Sequence, residues 1–252
     1  MPEVDIVDEW PAPTTGAPRG RSRMLPAALA AVVCLAALVL AGVRLTGELT
    51  RGPHPAELRQ AGVLEVARRW QTWPAGKIFP AGVGYTLEEG GPETARLVGI
   101  GTAASCDTGL NPAAAAAVRA YGCRAVLRAT YLDKSQGSAM TVGVAVFPDE
   151  RSAALAKTGL RAVKGPARLR ALAFPDSAVA RFTDAAVQRS APGAQGGPYV
   201  AFAVIGYADG RPPPRDRQGG LLPDVADDLA KAVLTPLATP ARVDCAQPDW
   251  SC

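Results

Sequence analysis

Hydrophobic and polar positions divide the chain into four zones. Residues 1–23 carry Pro2, Pro11, Pro13, Gly16, Pro18 and Gly20 with little apolar material between them. That composition cannot bury a core and predicts a disordered tail. Met24 to Val43 is an uncharged run of 20 residues bracketed by Arg23 and Arg44. As a helix rising about 1.5 Å per residue it measures roughly 30 Å, the thickness of a bilayer's hydrocarbon core, which predicts a transmembrane helix. Residues 44–75 form a stalk ending at Pro53-His54-Pro55 and a juxtamembrane helix over 56–73, closed by Pro74-Ala75-Gly76. Its apolar stripe is broken. It either packs on the following domain, the preferred reading, or rests Trp70, Trp73, Arg68 and Arg69 on lipid.

From residue 76 onward the periodicity alternates between strand and helix, as in an α+β domain over 76–252. Residues 76–94, rich in glycine, predict an extended segment and a turn. ARLVGIG (95–101) reads as a strand, and Asn111-Pro112 opens a helix that Gly122 closes. CRAVLRATYLD (123–133) places Cys123, Ala125, Leu127, Ala129 and Tyr131 on one face. MTVGVAVF (140–147) does the same with Met140, Val142, Val144 and Val146. Pro148-Asp149-Glu150 opens a helix to about Arg161, with acids where the helix dipole favours them. A further strand at 167–174 completes a βαββαβ order, the ferredoxin-like unit with an antiparallel sheet. Extra strands follow: a weak one at 178–183, then YVAFAVIGY (199–207), apolar on both faces and so central or covered. A last helix is predicted at 223–235, ahead of a proline-containing tail.

Charge and cysteine bear on topology. Arg19, Arg21 and Arg23 precede the uncharged run and orient the N-terminus toward the cytoplasm, against a shallow counter-bias from Arg44 and Arg51. The remainder is then a single-pass protein's extracytoplasmic domain in the cell membrane. A cleaved signal peptide is the competing reading; the long acidic n-region and the length of the apolar run favour a retained anchor. Cys34 lies in the run, and Cys106, Cys123, Cys245 and Cys252 lie beyond it, an even number. Neighbours in sequence suggest Cys106–Cys123 and Cys245–Cys252 disulfides. Zinc is disfavoured, with no Cys-x-x-Cys and no nearby histidine. Beyond the run the net charge is +5, and the whole chain's 22 arginines against 5 lysines are scattered among acids. That pattern does not point to nucleic acid.

Candidate chemistry is sparse. The single histidine, His54, sits between prolines and reads as structural. G-x-S-x-G and S-x-x-K are absent. Gly99-Ile100-Gly101-Thr102-Ala103-Ala104 matches a dinucleotide fingerprint in letters, but no helix follows at once, so it reads as a loop needing glycine. Asp224, Asp227 and Asp228 share a helix face where calcium is conceivable and dipole stabilisation suffices. No metal and no cofactor is predicted. Arg161, Lys164, Arg168 and Arg170 form the densest basic patch, and Arg124 and Arg128 share a strand face. These six are the candidate anion-binding residues, with a solvated surface as the alternative.

WPAGKIFP (73–80), GCRAVLRATYLD (122–133) and TVGVAVFPDE (141–150) resemble uncharacterised single-span membrane proteins of high-GC actinobacteria. The architecture is loosely similar to PknH-like extracytoplasmic sensor domains, disulfide-bearing α+β modules used for binding. The first likeness implies no activity. The missing catalytic constellation and a sheet that could present one face favour a membrane-anchored binding or assembly module of the cell envelope, without enzymatic activity, whose partner is a protein or envelope ligand. Alternatives are an envelope hydrolase or transferase using carboxylates such as Asp107 or Asp133, and an accessory subunit of a larger membrane complex.

Overall fold

The computed structural model describes residues 24–87, 90–163, 168–191, 193–212 and 225–241. The expectations for the tail 1–23 and for Lys164, Asp224, Cys245 and Cys252 lie outside the described residues. The chain divides into two units, Met1–Pro53 and His54–Cys252.

In the first unit, α1 (Met24–Thr50) runs past the uncharged stretch. The Thr46 and Thr50 hydroxyls donate back to the carbonyls of Gly42 and Thr46, at 2.7 and 2.8 Å. This lets polar residues continue the helix. Among the described residues, Ala28–Thr50 is the one helix long and apolar enough to cross a membrane by length and composition, a test that a signal sequence also passes.

The second unit begins with α2 (Pro55–Thr72), set by a capping box. His54 Nδ1 accepts from the Ala56 N–H at 3.3 Å, and the Glu57 carboxylate accepts from the His54 N–H at 2.8 Å. Two donors that the helix leaves without intrahelical acceptors are thereby satisfied, and the lone histidine is structural as expected. After α3 (Ala75–Ile78) come β1 (Gly82–Leu87) and β2 (Gly91–Ile100). Next are α4 (Cys106–Gly109) and α5 (Pro112–Arg119), capped by the side chains of Ser105 and Asn111. β3 (Ala125–Leu132) and β4 (Ser138–Val146) follow. α6 (Glu150–Arg161) matches its predicted span and is capped by Asp149, whose carboxylate accepts from the Ser152 N–H at 2.7 Å. That bond holds the Asp149 carboxyl below its ordinary pKa. β5 (Val187–Ser190), β6 (Ala194–Gly196), β7 (Tyr199–Tyr207) and α7 (Ala226–Ala238) complete the unit.

The strands form one antiparallel sheet in the order β1-β2-β3-β4-β7-β5, with β6 also paired to β7. Alternation sends successive residues to opposite faces. Tyr131, Met140, Val142, Val144, Ala201, Ala203 and Ile205 meet Leu229, Val233 and Leu237 of α7 and Val66 of α2. Val126, Ala145, Val200, Phe202 and Val204 meet Ala114 and Val118 of α5, Ala153 and Leu160 of α6, and Leu169 and Phe182. Both faces of β4 and β7 are therefore covered, as the doubly apolar β7 predicted.

The sheet departs from the ferredoxin-like order. A split βαβ unit keeps its crossover strands parallel, with another strand between them. Here β2 and β3, which flank α4 and α5, are direct antiparallel neighbours in a β1-β2-β3-β4 meander. The connection turns back at one end of the sheet, because an Ala104–Val126 bridge and a Cys106–Cys123 disulfide hold its two limbs together. Of the strand expected at 167–174, a single bridge, Leu110–Leu169, is present. The segment expected as a weak strand at 178–183 is mostly turns.

Candidate functional site

The segment 168–174 resembles a strand in sequence but crosses the second face of the sheet. Its polar backbone groups are satisfied from the sheet below. Thr130 Oγ1 donates to the Leu172 carbonyl at 2.6 Å, Thr141 Oγ1 accepts from the Leu172 N–H at 3.0 Å, and the two hydroxyls are 2.9 Å apart. Asp184 accepts from the Ala171 N–H at 2.7 Å. With side chains meeting these needs, the segment requires no strand partner. Glycines beneath it supply the space. A Cβ on Gly99 would lie 2.6 Å from Phe174, one on Gly101 2.9 Å from Leu172, and one on Gly143 2.4 Å from Leu169. The Gly99 to Ala104 motif therefore seats Leu172 and Phe174, in keeping with the glycine-requiring loop.

Among the described residues, the candidate anion-binding arginines have separate surroundings. Arg168 donates to the Leu160 and Val163 carbonyls, at 3.1 and 3.3 Å, and so caps the end of α6. Arg170 pairs with Asp184 at 3.1 Å. Arg128 donates to the Arg170 carbonyl at 3.2 Å. Burial, then the nearby Arg170 charge, pull the Arg128 pKa down. Arg124, just before β3, is exposed, and Lys164 lies outside the described residues. Of the set, Arg161 lines a groove.

That groove, about 450 Å³, lies where α6 and α7 meet β6. Its lining brings together Lys157 and Arg161, one turn apart on α6, with Asp227 and Lys231 of α7 and Gln195 of β6. β6 is short, and Gly193 and Ala194 also belong to the lining. Asp227 and Lys231 pair at 3.2 Å, while Lys157 and Arg161 have no ion-pair partner among the described residues. A second, more open groove of about 590 Å³ lies on the other side of Lys231 and Thr235, against β1 and β2, with Glu93 and Asp228 in its lining.

The most heavily built polar cluster is one that the sequence reading assigned to packing or lipid without a role. Arg69 is 2% exposed. Its Nε donates to Glu65 at 2.8 Å, and its Nη1 donates to the carbonyls of Pro236, Leu237 and Thr239 at 2.9, 3.0 and 2.7 Å. A cation thus sits at the negative end of the α7 dipole and satisfies carbonyls without intrahelical donors. The guanidinium also stacks 4.5 Å over the Trp73 ring. Nearby, the Tyr199 hydroxyl donates to the Val66 carbonyl, and burial pushes its pKa up to about 12. The i, i+4 spacing of Glu65, Arg69 and Trp73 was the available signal. The structure settles the alternatives for α2 in favour of packing.

Among the described residues no group of three His, Cys, Asp or Glu gathers as a metal site. Asp107 pairs with Arg119 at 2.9 Å, and Asp133 accepts from the Ser138 N–H at 2.8 Å to shape the β3–β4 turn. Asp107 lies in α4 and Asp133 in the β3–β4 turn. The Cys106–Cys123 disulfide is formed as expected, and Cys34 is free and exposed. No protein family, curated protein or solved structure matches this chain.

Proposed function

We propose that this protein is a membrane-anchored binding module whose folded unit lies outside the cytoplasm. The observation that carries the reading is the Arg69 clamp. It makes α2 an integral part of the folded domain, so that only residues 51–54 separate α1 from it. A short connection of that kind suits a domain held at a membrane. The Cys106–Cys123 disulfide supports an oxidising compartment, and Arg19, Arg21 and Arg23 support a cytoplasmic N-terminus. The groove between α6, β6 and α7 is the surface assigned to the ligand.

The test is maleimide labelling in intact cells, with and without a membrane-permeant reductant, together with mass analysis of the mature chain. The expected result is that Cys106 and Cys123 react only after reduction, in a chain that retains residues 24–43. Reduced, cytoplasmic Cys106 and Cys123 would overturn the topology. A mature chain starting beyond residue 43 would make α1 a signal sequence.

A further inference from the structure

Resting on the binding-module reading, we propose that the α6–β6–α7 groove takes the phosphoryl group of a phosphomonoester, free or as a lipid headgroup. Cations stand on two walls: Lys157 and Arg161 on α6, Lys231 on α7. Asp227 is the only acid among the lining residues, which leaves the lining at +2. Lys157 and Arg161 lie on the same face of α6 one turn apart, and both line the groove. A planar carboxylate is satisfied by one guanidinium fork. A tetrahedral dianion presents oxygens in several directions and suits an arginine fork with ammonium groups from both sides. Gln195 Nε2 donates to the Gly197 carbonyl at 2.9 Å, fixing the amide at the groove floor with a second N–H to offer. Gly193 and Ala194 complete the lining, and Leu234 supplies an apolar wall for the body of the ligand. Asp227 opposes anion binding directly and by holding Lys231.

The experiment uses the full chain in phosphatidylcholine nanodiscs, titrated calorimetrically with glycerol 3-phosphate, and in parallel in nanodiscs containing phosphatidic acid. Saturable binding of the soluble phosphomonoester identifies a free ligand. Binding of nanodisc phosphatidate alone identifies a headgroup, and either supports the proposal. Lys157→Ala with Arg161→Ala is expected to weaken binding by about tenfold or more, Asp227→Asn to strengthen it by about threefold, and Arg124→Ala to leave it unchanged. No saturable binding of either probe overturns the proposal, as does binding that survives the Lys157/Arg161 pair or falls equally with Arg124→Ala. Thiol topology is read in parallel in intact cells. Wrong compartment with intact phosphate binding removes the anchored-module reading alone, and correct topology without binding removes the ligand alone.

Discussion

The two faces of the sheet are covered by different means. On the first, α7 lays Leu229, Val233 and Leu237 over alternating apolar residues of β4 and β7, and α2 is joined to the end of α7 by one buried arginine. On the second, α5 and α6 share the cover with an irregular segment seated over Gly99, Gly101 and Gly143 and held by Thr130 and Thr141. A helix satisfies its own backbone and needs only an apolar stripe. An irregular segment brings unsatisfied N–H and C=O groups and needs both specific hydroxyls and specific vacancies. The first face therefore concentrates its polar energy at one residue, and the second spreads it over many.

Arg69→Ala should break the first face most severely. It leaves the Glu65 carboxylate, two α7 carbonyls and that of Thr239 just beyond without their cation, and the expected loss is about 4 kcal/mol in urea unfolding. Amide exchange should quicken in α2 and at the end of α7 before elsewhere. Arg69→Lys should restore only a minor part, since an ammonium lacks the planar fork. An unchanged stability would show that helix packing alone holds this face.

On the second face, Gly143→Ala forces a Cβ against Leu169 and should cost about 2 kcal/mol, with loosening confined to 168–174. Thr141→Val removes the hydroxyl that accepts from Leu172 and meets Thr130, for about 1–2 kcal/mol. Its signature is faster exchange at Leu172. If Thr141→Val spread its effect as widely as Arg69→Ala, the contrast between the faces would fail.

The smallest effect separates the faces by pH. Tyr131 and Tyr199 are buried on the first face, and burial raises both pKa values, Tyr199 to about 12. In the unfolded chain a tyrosine ionises near pH 10. The folded state keeps a proton that the unfolded state has lost. The associated stability is therefore complete below about pH 10 and is lost as pH rises toward about 12. Tyr199→Phe should cost about 1 kcal/mol at neutral pH by losing its bond to Val66, and should flatten the alkaline decline. An identical decline in the variant would assign it to other groups.

Much of the fold was legible where local signals were complete. Asp149 and Glu150 marked the start of α6, and the doubly apolar run 199–207 marked a strand buried on both faces. The Cys106–Cys123 pair followed from cysteine spacing. The segment 167–174 was misleading, because its apolar pattern fits a strand and nothing within it shows that Thr130 and Thr141, about thirty to forty residues earlier, will take its hydrogen bonds. Of the candidate site, Arg161 was legible as part of a basic patch. Lys157, Gln195 and Lys231 were not, since three elements distant in sequence must meet before they share a groove.

By itself the sequence determined an apolar N-terminal helix, an α+β domain and one disulfide, because these depend on composition, on periods of 3.6 and 2, and on short spacing. The tertiary structure alone decided the meander order of the strands, the role of Arg69 and the place of the groove. Each of these depends on which distant backbone groups and charges come within bonding reach, and that is settled only when both faces of the sheet are covered at once.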